Sequence, residues 1–292
     1  MVIQLIVNGL VLGSGYALIA IGHTMIFGQM NIVNFAHGEL YMIGAFLTYA
    51  FFTLLSGFSL GYAGALMGGI IGTIVLGFLL DKLIFKKIRN EDMSTSTLVT
   101  IGLSILFMNG VTVVSGAAPK TLLTSFNKSL EFGSFYITYS RLIIILAAIF
   151  VILILNFFLQ KTKTGKAFRA TFQNPEAALL VGIEVETIYS LNMMLGSALA
   201  GIAGGLLALI FVLEPTMGIK AISVAWIVVV TGGRGSVPGA ILVGFLLGIV
   251  ECFGGAYISS EYKDAIGFVI LVLVLIMKPQ GLFGKKLARM GG

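Results

Sequence analysis

Apolar residues run through this chain in long stretches, near 3–21, 40–55, 62–80, 98–114, 142–159, 191–213, 221–230, 240–250 and 265–277. A bilayer core about 30 Å thick takes about 20 helical residues to cross. The first six runs can span with help from flanking polar residues, whereas the last three are short and predict tilted, broken or half-length helices. Lipid tolerates only helices or closed barrels, and the runs lack the apolar/polar alternation of barrel strands, so sheet is not expected. The pattern therefore predicts an all-α fold, a polytopic membrane helical bundle of about eight spanning helices, with residues 1–292 forming a single transmembrane domain.

Composition agrees. The chain is 58% hydrophobic and 10% charged, with a mean hydropathy of +1.06, outside the range of soluble domains. Its net charge of +6 raises the question of nucleic acid, but the basic residues lie in the gaps between apolar runs, where they act as topology signals. Three basic groups are expected inside: Lys82, Lys86, Lys87 and Arg89; Lys161, Lys163, Lys166 and Arg169; and Lys285, Lys286 and Arg289. The amino terminus is then outside if the first two runs each cross once, and inside if either is re-entrant. The 116–139 loop falls outside despite Lys120 and Lys128. Residues 1–12 lack a basic leader and a small-residue cleavage site, which predicts a retained first span. Cys252 is the only cysteine, so no intrachain disulfide can form.

The longest polar interruption, 161–189, is expected on the cytoplasmic face and carries start and stop signals for a small helix. Asn174 can cap its free N–H groups, Pro175 suits a first helical position, Glu176 sits favourably at the positive end of the dipole, and Gly182 can end it. With Ala177, Ala178, Leu179 and Leu180 on two turns, such a helix fits a protein partner or an interfacial site on lipid.

Polar groups also occur at membrane depth. His23, Gln29, Asn31, Asn34, His37 and Glu39 crowd into 22–41; ionisable groups there usually face a cavity or one another, and glycines mark broken helices. A plain surface loop is the alternative. Residues 230–239 place Arg234 between two short runs, with Ser236 and Pro238 opening the next helix or forming a simple turn. Small residues at every fourth position, as at Gly64, Gly68 and Gly72 or Gly196, Ala200 and Gly204, allow close helix approach within a bundle or across a dimer seam. Weak similarity between 12–22 and 195–205, and between 37–47 and 238–248, suggests duplicated halves.

No catalytic constellation is present. The Gly-Lys pairs at 165–166 and 284–285 lack the upstream glycine and following Ser or Thr of a phosphate-binding loop, so the chain is not expected to bind ATP in that manner or to act as an enzyme. Two histidines with Glu39 as the only nearby acid do not make a metal site, and no cofactor is expected.

Three motifs in fixed order, Asn31 to Phe46 (NIVNFAHGELYMIGAF), Gly165 to Tyr189 followed by LGSALAGIAGGLLAL, and Gly232 to Glu251 (GGRGSVPGAILVGFLLGIVE), resemble the permeases of bacterial branched-chain amino acid ABC importers, the Liv type, and in particular the shorter of the two paralogues. The resemblance spans nearly the full length. It implies a multi-pass protein of the bacterial inner membrane that joins a second homologous permease, two ATP-binding cassette subunits and an extracytoplasmic substrate-binding protein. On this view Arg169, Asn174, Pro175, Glu176, Ala177, Ala178, Leu179 and Gly182 couple to the ATPases, and Asn31, Asn34, His37 and Glu39 border the translocation path. A urea or short-amide permease of the same architecture is the alternative. From another class, an ion-coupled secondary transporter or channel would use the Asn31–Glu39 cluster as an ion site.

Overall fold

The computed structural model describes residues 1–55, 61–124, 126, 128–132, 135–259 and 261–284. In chain order the elements are α1 (Val2–Met30), α2 (His37–Leu54), α3 (Gly61–Leu80) continuing through a π turn (Asp81–Phe85) into α4 (Lys86–Ile88), and α5 (Met93–Ser115). A hairpin of β1 (Ser129–Phe132) and β2 (Phe135–Thr138) follows, then α6 (Tyr139–Lys161), α7 (Lys163–Gln173), α8 (Pro175–Leu180), α9 (Val185–Leu207), α10 (Met217–Gly232), α11 (Val237–Tyr257) and α12 (Lys263–Met277). Among the described residues six helices are long and apolar enough to cross a membrane: Val2–Met30, Gly61–Ile88, Met93–Ser115, Tyr139–Lys161, Val185–Leu207 and Val237–Tyr257. Met217–Gly232 and Ala265–Met277 are shorter apolar helices. The fold is a polytopic helical bundle.

The spans are distributed differently from the apolar runs. The short run 240–250 lies inside the 21-residue α11, because Ser236 accepts a hydrogen bond from the Gly239 N–H and Pro238 occupies the first turn, starting the helix ahead of the run. The run 40–55 falls in α2, whose first turn holds His37 and Glu39 and which is not one of the six. The run 191–213 is helical only to Leu207; its tail turns, and Leu213 bridges to Lys120. The β1–β2 hairpin, with Ser129 opposite Thr138 and Leu130 opposite Ile137, departs from the expectation of no sheet. It lies in the connection between α5 and α6 and not in a span, so the bilayer constraint on sheet edges does not act on it.

The break expected in 22–41 is confined to 31–36, between α1 and α2. α1 continues through His23 and Gln29 to Met30 and stops at Asn31, which takes the left-handed conformation with φ 55°. Gly22, His23 and Thr24 are enclosed by neighbouring helices, where an unpaired backbone group has no water to turn to, so the helical ladder persists. α1 and α9 form the centre. They run antiparallel and touch at Gly22 and Gly196, where either Cβ would meet the other helix's carbonyl oxygen, at 2.8 and 3.2 Å, and the Asn192 amide donates to the Met25 carbonyl. Gly44 of α2 meets Gly201 in the same way. The small-residue stripes of α9 thus serve packing inside this chain. α5 and α6 have the least enclosed apolar surfaces of the six.

Two of the expectations resolve together. α9 is antiparallel to α1, yet α2 and α11 both run opposite to α1: Gly9 and Gly13 face Ile249 and Phe245 of α11, while α2 runs alongside α9 with Gly44 at Gly201 and Thr48 at Gly205. One proposed repeat pair is therefore inverted and the other parallel, which no single duplication produces, so the sequence similarity reflects shared small and apolar residues. Met30 shares a cleft with Lys86 and Arg89, and Gly28 packs on Gly235 and Phe172. The carboxyl end of α1 thus lies with the first two basic groups, and the amino terminus lies at the opposite end. Lys285, Lys286 and Arg289 are outside the described residues, but Leu282 and Phe283 donate to the Thr231 and Gly232 carbonyls at this same end. At the start of α5, Asp92 accepts hydrogen bonds from the Thr95 hydroxyl and from the Thr95 and Ser94 N–H groups, which hold its carboxyl below the usual range.

Candidate functional site

Two places carry unusual chemistry. The first is inside the bundle, where α1, α2, α5 and α10 meet. Asn34, His37 and Glu39 are all fully buried, and so is His23, one helix away. His37 Nε2 lies 3.1 Å from the Ile19 carbonyl oxygen, and Ser104 donates to Glu39 Oε1 at 2.9 Å. The His23 ring lies 5.4 Å from that of His37 and meets Trp226 edge-on at 4.6 Å; Phe27 stands 5.3 Å from the same indole. Many polar atoms here have no partner within the protein: both ring nitrogens of His23, both amide atoms of Asn34, His37 Nδ1, Glu39 Oε2 and Trp226 Nε1. A buried donor or acceptor left unsatisfied costs about 1–3 kcal/mol, so this cluster is expensive as packing and has unused capacity to donate and accept hydrogen bonds. Asn31 is separate from it, exposed at the end of α1.

Of the expected path residues, three are thus brought together and one is not. Trp226 was not singled out from sequence, although it is the chain's one tryptophan and an aromatic with a polar handle placed in a short apolar run. His23 lies on α1 itself rather than in a loop. Among the described residues no group of three or more His, Cys, Asp or Glu side chains is arranged to hold a metal ion.

The second place is the basic end. The 161–189 stretch holds two helices where one was expected. α7 precedes the anticipated one, capped by Thr162, whose hydroxyl accepts from the Gly165 N–H. Phe168 and Thr171 are its buried side chains; Lys163, Lys166, Arg169 and Gln173 are exposed, and so is Phe172. Asn174 then breaks the helix in extended backbone (φ −158°, ψ 105°) and caps α8, accepting from the Ala177 N–H at 3.0 Å, with Pro175 in the first turn. Gly182 (φ 82°) ends it, its N–H bonding the Leu179 carbonyl while Ile183 bonds that of Ala178. Within α8 Ala178 is turned into the chain; Leu179 (57%), Leu180 (89%) and Val181 (75%) stand in the open. Arg169 donates to the Leu159 carbonyl at the end of α6, which ties α7 to its span. A cleft of about 500 Å³ separates α8 from α4 and the start of α9, bordered by Lys86, Arg89, Glu176, Leu179 and Glu186.

A family profile described as branched-chain amino acid transport system, permease component, matches residues 5–275. The chain belongs to this permease family. Among curated relatives it is 34% identical to the high-affinity branched-chain amino acid transport system permease protein LivH of Escherichia coli K12, over 97% of this chain and 96% of that one. The permease protein BraD of Pseudomonas aeruginosa is 34% identical over the same shares. The probable branched-chain amino acid transport permease LivH of Methanocaldococcus jannaschii is 28% identical over 98% of this chain and 95% of its own. No solved structure matches. As a permease of this family the chain is a multi-pass transport component and not an enzyme.

Proposed function

We propose that this permease is the membrane subunit of an ABC importer for branched-chain or other hydrophobic amino acids in the bacterial inner membrane. Its companions are a second homologous permease, two ATP-binding cassette subunits on the basic face and a substrate-binding protein on the other. Short loops rich in Lys and Arg stay in the cytoplasm, so the end carrying Lys82 to Arg89 and Lys161 to Arg169 is the inner one and the amino terminus is outside. The observation that carries the reading is α8. It is a rigidly capped helix at the basic end that keeps only Ala178 for itself and leaves three adjacent large apolar side chains uncovered. Burying each is worth about 1.5–3 kcal/mol, so the surface favours a protein socket, and α8 leads through 181–184 directly into the central helix α9.

In this mechanism closure of the ATPases on ATP displaces α8, α9 turns against α1, and the bundle shifts between outward and inward access. The enclosed cluster of Asn34, His37 and Glu39, joined by His23 and Trp226, borders the route and is shut in this conformation. Capture is left to the binding protein, so these side chains need only satisfy the cargo in transit. The test is reconstitution. With both permeases, the ATPases and the binding protein in liposomes, leucine uptake should require ATP, and the permease alone under an ion gradient should not transport. Uptake by the permease alone would favour a secondary transporter or channel; a binding protein that retains urea and not leucine would redirect the cargo.

A further inference from the structure

The first turns of α9 are gripped by the inner end of α3. Arg89, its side chain 7% exposed, donates to Asp81 Oδ1 at 2.6 Å and to Glu186 Oε2 at 2.9 Å, and its guanidinium lies 4.4 Å from the centre of the Tyr189 ring. The other oxygen of Asp81 accepts from Ser190 at 2.5 Å, and Asp81 itself is 1% exposed. Lys86 adds a looser contact to Glu186 at 3.8 Å. Glu186, Tyr189 and Ser190 lie on one side of α9, and all three engage a single guanidinium and carboxylate. Asp81 opens the π turn that interrupts α3, a feature that re-aims the following side chains and is frequent at functional sites.

Burying an ion pair brings little net stability, because desolvation offsets the attraction. Its use lies in geometry. An arginine's planar fork fixes two acceptors and an aromatic face in one orientation, which a lysine cannot do. α3 in turn packs on α2 through Gly68 against Phe51 and Gly69 against Thr48, and α2 carries His37 and Glu39. The basic end and the enclosed cluster are thus joined by a continuous series of contacts from α8 through α9 to α2, directly at Gly201 and Gly44 and also by way of α3.

We propose that Arg89 is a positioning residue for coupling: the Asp81–Arg89–Glu186 clamp makes α3 move with α9 when α8 is displaced, carries that displacement to α2, and stays closed throughout the transport cycle. The inference rests on the reading of α8 as the ATPase contact. It extends that reading by naming the tie through which the helix acts on the enclosed cluster.

The test uses the complete importer in proteoliposomes, reading subunit ratios, ATP hydrolysis and amino acid uptake together. Arg89→Lys keeps the charge and loses the fork. It should assemble at normal ratios and hydrolyse ATP, while uptake per ATP falls by about 5-fold or more, the scale of ordinary coupling between sites. In a Cys252→Ser background, Asp81→Cys with Ser190→Cys should be uncoupled when reduced and regain coupling when the disulfide forms. Normal uptake per ATP in Arg89→Lys overturns the clamp, as does a cross-linked protein that cannot transport, since the tie would then have to open. Failure of Arg89→Lys to assemble also overturns it, by giving Arg89 a folding role only. Leu180→Glu, run in parallel, separates the two readings. If it assembles and transports normally the ATPase contact has been misplaced; if it is impaired while Arg89→Lys is normal, only the clamp is wrong.

Discussion

The hydroxyl of Tyr16 donates a 2.7 Å hydrogen bond to Oε2 of Glu251, joining α1 to α11 through a carboxylate that is 1% exposed. Lys263, at the start of α12, stands 3.9 Å from the same oxygen. Three helices therefore meet on one carboxylate. A hydrogen bond to a charged group contributes about 1.5–3 kcal/mol, so Tyr16→Phe should lower the thermal unfolding midpoint in detergent while Lys263 remains on the carboxylate. Glu251→Ala should lower it further, because it removes the acceptor of Tyr16 and the counter-charge of Lys263 together and leaves a cavity. Equal midpoints for Glu251→Ala and the parent would show that this junction contributes nothing to holding α11 and α12 in place.

Glycines within the helices differ in how closely their neighbours approach, and the difference is measurable. A Cβ on Gly13 would stand 2.7 Å from the Phe245 Cα, and one on Gly244 would stand 2.7 Å from the Ala17 Cα. Backbone cannot yield as a side chain can, and overpacking of this kind costs about 1–3 kcal/mol. Gly102 and Gly110 of α5 have nothing within 4 Å, and alanine there gains about 0.5–1 kcal/mol of helix preference. Gly13→Ala and Gly244→Ala should destabilise the detergent-solubilised protein, and Gly102→Ala should not. A partner permease packed on α5 is the one arrangement that would reverse the second expectation, and comparing the single subunit with the assembled pair would reveal it.

Much of this was legible in the sequence, for reasons that differ from element to element. Asn174, Pro175 and Gly182 announced α8 because capping is local chemistry, readable within a few residues; Ser236 and Pro238 announced α11 in the same way. α7 was hidden because its apolar positions, Phe168 among them, are spaced through a run of basic and polar residues that looked like loop. The continuity of α1 through His23 could not be read locally at all. A histidine inside a span is tolerated only when other helices enclose it, and that enclosure by α2 and α10 is a tertiary fact. Trp226 was missed, and Arg89 was read only as a topology signal, for the same reason, since their partners are distant in sequence: His23 lies about 200 residues from Trp226, and Glu186 about 100 from Arg89. The β1–β2 hairpin escaped because the membrane argument against sheet was applied to a connection where it does not hold.

The exposed face of α8 should tolerate little change of charge. Glu176→Lys removes a favourable helix-terminal interaction of about 0.3–1 kcal/mol and puts a cation into the cleft it shares with Lys86 and Arg89. Leu180→Glu adds a charge where a socket should be apolar. Both should reduce the amount of ATPase recovered with the permease, and Leu180→Glu should do so more, while the bundle still folds. Recovery of normal ATPase with normal stimulated hydrolysis in both variants would move the contact elsewhere.

The enclosed cluster makes the sharpest claim about the route. Glu39 has one oxygen on Ser104 and the other without a partner in the protein, so Glu39→Ala should lower uptake without releasing the ATPases, because it alters the passage and not the coupling surface. Asn34 is fully buried with neither amide atom engaged. In a Cys252→Ser background, Asn34→Cys should therefore resist a membrane-impermeant thiol reagent in the closed conformation described above and become reactive when ATP locks the importer in another. The difference expected between the states follows from burial alone, since a thiol reacts only when its thiolate can be reached. Equal reactivity in both states would take 31–39 out of the translocation path, and the unpartnered atoms of His23, Asn34 and Trp226 would then need a purely structural explanation.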